Sequence, residues 1–514
     1  MRNTKSILLS VLLAISVSTG LLTGCTNQEN DKVIESIRDS LVMAVNSQIP
    51  LAARKDVKIS TDKNFLQVKD GQLKAVKTGE TTAKVALGGS KKEVKVKIVE
   101  SVEVQPYSIN YTFYNESATA YGFTWNTDTQ GCPVIQYCKE GDNFQNCQTI
   151  NVYETYNANE DNYICKGVVK GLDFDSNYHF RVGDLSGIWS EQGTIHTRQE
   201  DVKDFNFTVV TDTQNVNNEY SYFAKTLKKA LNTNADSEFI LHTGDFVEYS
   251  KKEYWSEMFN EVRPYLKDYP IIPVGGNHDT LEGFTDGKLY PFTKYFNIEP
   301  VNNQNMFRGQ YYTFTYGEVR FIVLDCYETS KAMSVEQQQW LESILKNNDK
   351  KWTIISAHCP VFSPAEMALA PQYRTPTVNL RKQLLPLTEK YKVDLVLSGD
   401  DHIYSRSYPI NGRKEIVDKD KCAEVIMDGM SIPIYKNISG TIYQVNGITG
   451  NKYGNLYENV TEEDLSYIET YHIAQNPTYL SVNVSSEKLI VKLYEVDINN
   501  EEQFLIDIYG IEKV

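Results

Sequence analysis

The spacing of apolar positions changes twice along the chain. Between residues 51 and 100 apolar and polar residues alternate, as in "AKVALGG" and "EVKVKIVE", with turn signals at Asp70-Gly71, Thr78-Gly79 and Gly88-Gly89. A period of two broken by such turns predicts short antiparallel strands packed as a small sandwich. Residues 101–199 keep the same rhythm, for example in "ATAYGFTWNT", and predict a second all-β unit. At Phe205 the rhythm becomes continuous apolar runs separated by helical spacing. "FNFTVVTD", "EFILHTGD", "YPIIPVGGNHD", "VRFIVLDC", "KWTIISAHCP" and "YKVDLVLSGDDH" read as buried strands, and "SYFAKTLKKALNT" and "SVEQQQWLESILKN" as helices. Strands alternating with helices predict an α/β layered domain over 200–514. The β pattern returns from about Gly440 and is expected to complete the same sheets.

The first 25 residues read as a targeting segment. Arg2 and Lys5 precede an apolar run from Ile7 to Val17, which is too short to span a bilayer. It ends in Leu22-Thr23-Gly24-Cys25, which resembles a bacterial lipobox. That resemblance implies lipidation at Cys25 and export to the outer face of a bacterial membrane, at the cell surface or in the periplasm. Residues 26–50 then form a tether with a short helix, from the spacing of Val33, Ile37, Leu41 and Val45. Export permits disulfides among Cys132, Cys138, Cys147 and Cys165, with three pairings open. Zinc is the rival reading of these four, although no CxxC pair is present.

Composition narrows the function classes. The net charge of −15 argues against an extended nucleic-acid-binding face, so no nucleic-acid partner is expected. It leaves room for a small anionic substrate, because bound metal reverses the local sign.

Five polar clusters close five of the expected strands: Asp212-Thr213-Gln214, Gly244-Asp245, Gly276-Asn277-His278-Asp279, His358 and Asp400-Asp401-His402. Strand C-termini line the functional crevice of an α/β sheet. Singly, each cluster has an ordinary reading as a helix cap, a turn, an Asx-turn or a core histidine. In this order the clusters resemble the calcineurin-like metallophosphoesterase superfamily, its purple acid phosphatase branch in particular. The closing stretch "GLDFDSNYHFRVGDLSGIWSEQGTIHT" resembles the fibronectin-III-like domain that precedes that catalytic domain, and residues 51–100 resemble bacterial Ig-like repeats. The implied fold is an αββα-type catalytic domain behind two small all-β sandwich domains.

The resemblance implies two metal ions bridged by Asp245, with Asp212 and His402 on the first and Asn277, His358 and Asp400 on the second. His278 would contact phosphate or assist the leaving group, and Asp279 would orient its neighbours. The partner is then a small phosphorylated substrate, phosphomonoesters being favoured, and the chain is expected as a monomer or homodimer. Phosphodiesterase or nucleotidase activity is one alternative; a surface binding or adhesion lipoprotein on a degenerate scaffold is another. Three positions depart from the family pattern. Gln214 replaces histidine and is a weaker candidate ligand. Glu248 stands where the purple phosphatases have tyrosine, with Tyr249 one position later, and is also a weaker candidate. Asp400 replaces histidine, and its hard oxygen shifts the preference towards iron or manganese, with magnesium or zinc possible.

Overall fold

The computed structural model describes residue 34 and residues 40–50, 57–69, 72–100, 104–142, 144, 147–157, 161–184, 188–279, 292–301, 311–328, 332–427 and 429–514. Cys25, the expected lipidation site, lies outside these residues. Residues up to Val102 form one compact unit and those from Glu103 a second.

In the first unit, Ser40–Ala44, Ser90–Val99, Gly79–Leu87 and Lys58–Ser60 pair in that order as one sheet. Gln48–Pro50, Gln72–Ala75 and Leu66–Lys69 form the other. Alternate residues such as Val85, Val94 and Val96 are buried, as the period of two requires. The helical reading around Leu41 is corrected. Ser40–Ala44 is a strand lying parallel to Ser90–Val99, with Leu41 and Met43 turned inward, so a period of two wins there.

The second unit begins with two four-stranded sheets over residues 107–196. Trp125 and Phe180 are fully buried between them. This sandwich shares its core with the layers that follow. Phe113 stacks on Tyr316 at 5.7 Å and meets Phe239 edge-on at 5.6 Å. Lys166 is buried against the same neighbour, donating to the carbonyls of Thr293 and Phe296, and burial pushes its ammonium down to about 8. The disulfides expected here are not formed among the described cysteines. Cys138 and Cys147 do come together as thiols, and burial and that contact push Cys147 up to about 12. Cys165 instead faces the core on the strand Asn162–Lys170, opposite Trp125.

The layered domain is built from two sheets. Eight strands pair in the order Ile271–Pro273, Ser237–His242, Phe205–Val210, Thr478–Val484, Lys488–Asp497, Glu502–Glu512, Met430–Lys436, Cys422–Met427. Seven pair in the order Tyr312–Tyr316, Val319–Val323, Trp352–Ser356, Leu395–Ser398, Ile442–Asn446, Tyr404–Ser407, Ile468–His472. The strands after Gly440 complete both sheets, as the β pattern of the tail predicted. Helices Val335–Lys346 and Thr375–Tyr391 bury Leu341, Leu380 and Leu384 in one core with Ile322, Ile355 and Val396 of the seven-stranded sheet. The stretch "FSPAEMALAPQYRTPTV" holds the short helix Glu366–Leu369 and enters the longer one at Thr375. His472 ends a strand and meets Glu495 at 2.5 Å.

Candidate metal centre

All five clusters sit just past the C-terminal ends of strands that run parallel to a neighbour. Phe205–Val210, Ser237–His242 and Ile271–Pro273 are mutually parallel neighbours in one sheet, and Trp352–Ser356 and Leu395–Ser398 are parallel neighbours in the other. The loops leaving these ends are laced together by backbone bonds. Asp212 N–H donates to Gly244 O at 3.0 Å, and Gly399 N–H to His358 O at 2.9 Å. Sharp exits come at a conformational cost. Asp212, Asp245, Asp400 and His402 all have left-handed backbones, with φ of 50°, 56°, 74° and 56°. Side chains rarely adopt that region, and each such residue stores on the order of 1 kcal/mol or more. Gly244, at φ +107°, leaves no room for a side chain: a Cβ there would lie 2.3 Å from His358 Nδ1.

The donors form two triads that share Asp245: Asp212, Asp245 and His402 in one, and Asp245, His358 and Asp400 in the other. His402 Nε2 lies 3.4 Å from Asp212 Oδ1. His358 Nε2 lies 3.2 Å from Asp245 Oδ2 and 3.7 Å from Asp400 Oδ1. Both imidazoles are oriented from behind, His358 Nδ1 by the Thr243 carbonyl at 2.8 Å and His402 Nδ1 by the Lys452 carbonyl. Such backing fixes the tautomer and leaves Nε2 to ligate. Asp279 accepts from the N–H groups of Gly276, Asp245 and Phe246 at 2.8, 3.0 and 2.9 Å, and so holds two of the strand-end loops together.

These residues fit a pair of cations. Two atoms of the cluster, His358 Nε2 and Gln214 Oε1, are among the buried polar atoms left without a hydrogen bond. The electrostatics agree. Burial works against the charge on Asp245, yet His358 and His278 beside it hold its carboxyl well below the usual range. Burial pushes Asp400 up to about 6, with repulsion from Asp245 and Asp212 offsetting the pull of His358. Burial and the neighbouring Asp400 push Asp401 up to about 7. His358 resists its own burial and rises well above the ordinary histidine value, because three aspartates surround it. Carboxylates crowded so closely must take protons or cations.

The remaining candidates are placed as follows. Gln214 Nε2 lies 3.1 Å from both Asp245 Oδ2 and His402 Nε2, so the amide sits inside the first triad. Glu248 belongs to neither triad. Its carboxylate takes Lys452 Nζ at 2.8 Å, and its carbonyl holds His278 Nδ1 at 2.9 Å. Tyr249 is exposed and meets Tyr254 edge-on, outside the donor set. Asn277 and His278 line a cleft of about 360 Å³ with Asp400, His402, Lys452 and Tyr373. Arg406 lies elsewhere, in an ion-pair network with Glu469 and Asp507. Two contributors escaped sequence reasoning. Lys452 lies in a loop with no motif. Tyr327 donates its hydroxyl to Asp400 Oδ2 at 3.1 Å. Its only signal was its place just past the end of "VRFIVLDC".

Residues 205–404 match the family model of calcineurin-like phosphoesterases, and residues 106–197 that of the purple acid phosphatase N-terminal domain. Two uncharacterized proteins of Mycobacterium tuberculosis are each 29% identical over 172 residues, so the match spans 31% of this chain but only 32% of their length. Fe(3+)-Zn(2+) purple acid phosphatase 12 of Arabidopsis thaliana is 25% identical over 371 residues, 68% of this chain and 73% of its own. The structure of a purple acid phosphatase from yellow lupin (Lupinus luteus) seeds shares the fold, with a TM-score of 0.65 at 18% identity over 86% of this chain and 81% of that one. The chain therefore carries a calcineurin-like phosphoesterase domain behind a purple acid phosphatase N-terminal domain.

Proposed function

We propose that this chain is a metal-dependent phosphoesterase that hydrolyses small phosphate esters, phosphomonoesters ahead of diesters, outside the cytoplasm. The observation that carries this reading is the pair of triads meeting at Asp245. Two ions held there supply Lewis acidity and an activated water nucleophile. The chain's own groups do the rest. Asp212 and His402 would hold one ion, and His358 and Asp400 the other, with Asn277 as a further ligand of the second. His278 is tied at Nδ1 by Glu248 O and at its backbone N–H by Asp245 Oδ1, 2.9 Å away. Its Nε2 is left for the phosphoryl oxygen or the departing alcohol, the place for a general acid. The oxygen-rich donor set favours iron or manganese. A mixed iron–zinc pair, the pair named for the Arabidopsis relative, is the nearest alternative.

The test is turnover of an aryl phosphate against its bis-aryl diester by the purified chain after loading with manganese or iron. Metal-dependent hydrolysis with the monoester ahead is expected; no turnover of either with two ions bound would sink the reading. The replacement of histidine by Asp400 favours a second reading, a binding scaffold that has lost its chemistry. Elemental analysis separates the two, because a scaffold retains no stoichiometric metal. The lipobox-like Leu22–Cys25 supports a lipid tether. Substitution of Cys25 by serine should release the protein from the membrane fraction.

A further inference from the structure

We propose that Tyr327 is the positioning residue that makes Asp400 a working replacement for the histidine of the family pattern. The inference rests on the two-ion reading above. An aspartate in place of a histidine brings a shorter side chain with two equivalent oxygens. Left alone, it can chelate one ion or swing to the other. In this chain both freedoms are removed. The left-handed backbone of Asp400 aims the side chain into the centre, and its N–H is fixed on Asp212 Oδ1 and Oδ2 at 3.1 and 3.2 Å. Oδ2 is taken by Tyr327 Oη at 3.1 Å, while Oδ1 faces His358 Nε2 at 3.7 Å. One oxygen is thus occupied and the other is presented to the second ion position. The phenol also withdraws part of the carboxylate charge, in a site already holding Asp212 and Asp245.

Tyr327 is itself held by bonds that do not involve its hydroxyl. Its N–H donates to Asp325 Oδ1 at 3.0 Å. Asp325 is clamped through its own backbone by Gln337 of the helix Val335–Lys346, at 3.0 and 2.9 Å. Cys359 N–H reaches Cys326 Sγ at 3.0 Å, joining this loop to the residue after His358. Three parallel neighbours, Val319–Val323, Trp352–Ser356 and Leu395–Ser398, therefore deliver Tyr327, His358 and Asp400 from the same end of one sheet. A partner to a metal ligand, placed on rigid elements, changes affinity by about ten- to a hundred-fold when lost.

The experiment is a metal titration of four full-length proteins: the parent, Tyr327→Phe, Asp400→His, and the double variant. Calorimetry with manganese reports each ion, elemental analysis reports stoichiometry, and metal-free melting curves confirm folding. The parent should bind two ions. Tyr327→Phe should keep the first unchanged and bind the second about ten-fold or more weakly. In the Asp400→His background, where there is no second carboxylate oxygen for the phenol to occupy, Tyr327→Phe should change second-ion affinity less than about two-fold. If Asp400→His does not fold, Asp400→Asn replaces it; the second ion should already be weak there, and Tyr327→Phe should weaken it no further. Equal losses in both backgrounds, or no loss in the parent, would overturn the inference. A parent that binds no ion would overturn the phosphoesterase reading, and this one with it.

Discussion

On the Asp212 side of the centre a glutamine stands where the family pattern has histidine; on the His358 side an aspartate does. The two replacements are not alike. Gln214 is neutral and points its amide nitrogen at Asp245 and His402, so it braces two ligands. Asp400 is charged, keeps its place in a triad and acquires a partner in Tyr327. One half has a neutral amide where an imidazole would stand, whereas the other has a carboxylate there. A motif mismatch is therefore informative only with its surroundings, because the same loss of histidine has opposite consequences a few ångströms apart.

The comparison breaks altogether if both halves do not depend on Asp245. Asp245→Asn should cost about a thousand-fold or more in turnover, several kcal/mol of transition-state stabilisation, with loss of both ions by elemental analysis. Asp279→Ala strips the shared brace. It leaves four buried backbone donors unpaired, those of Gly276, Asp245, Phe246 and Val247, and should lower unfolding stability by about 2–4 kcal/mol in urea melts. The metal-free protein should also lose stability, by a few kcal/mol, as pH rises from about 5 to 8. Burial pushes the Asp400 carboxyl up to about 6 and those of Asp279 and Asp401 to about 7, so the folded state binds more protons than the unfolded one in that window. His358 and His402, raised by the aspartates against their burial, act in the same direction above the ordinary histidine value. His242, held low by burial and by His358, opposes the trend at the acid end of the window, and Lys166, pushed down to about 8 by burial, opposes it at the alkaline end. Melting temperatures across that pH range test the sign, and saturating manganese should reverse it. Gln214→His restores a ligand to the first half and should raise first-ion affinity for zinc about ten-fold, while leaving the second ion unchanged. The smallest effect belongs to Lys452→Met. It removes one cation from the cleft and should raise KM about five-fold, with ion content constant because the backbone carbonyl that orients His402 is kept.

Much of the centre was legible because its chemistry is local. A ligand at a strand end follows an apolar run, so "LHTGD" and "GGNHD" advertise both strand and ligand. What failed to show was what the fold assembles from afar. Lys452 meets Glu248 only because two loops 204 positions apart converge, and that pairing occupies the Glu248 carboxylate. Tyr327 lay beside a readable strand but carries a residue type with many ordinary uses. Leu41 misled because spacings of two and of four coincide over so short a stretch. The shared core of the second sandwich and the layered domain was equally hidden. Aromatic residues such as Phe113 and Tyr316 are apolar in both segments, and nothing local says which face meets which.

The left-handed backbones at Asp212, Asp245, Asp400 and His402 bear on how this chain responds to selection. Each position would be more comfortable as glycine, and each change would also remove a buried charge. Stability and chemistry therefore pull in opposite directions at the same four residues. A laboratory evolution scheme that rewards heat resistance alone would erode the centre before it improved the core, so it must be run with metal retention as a second criterion.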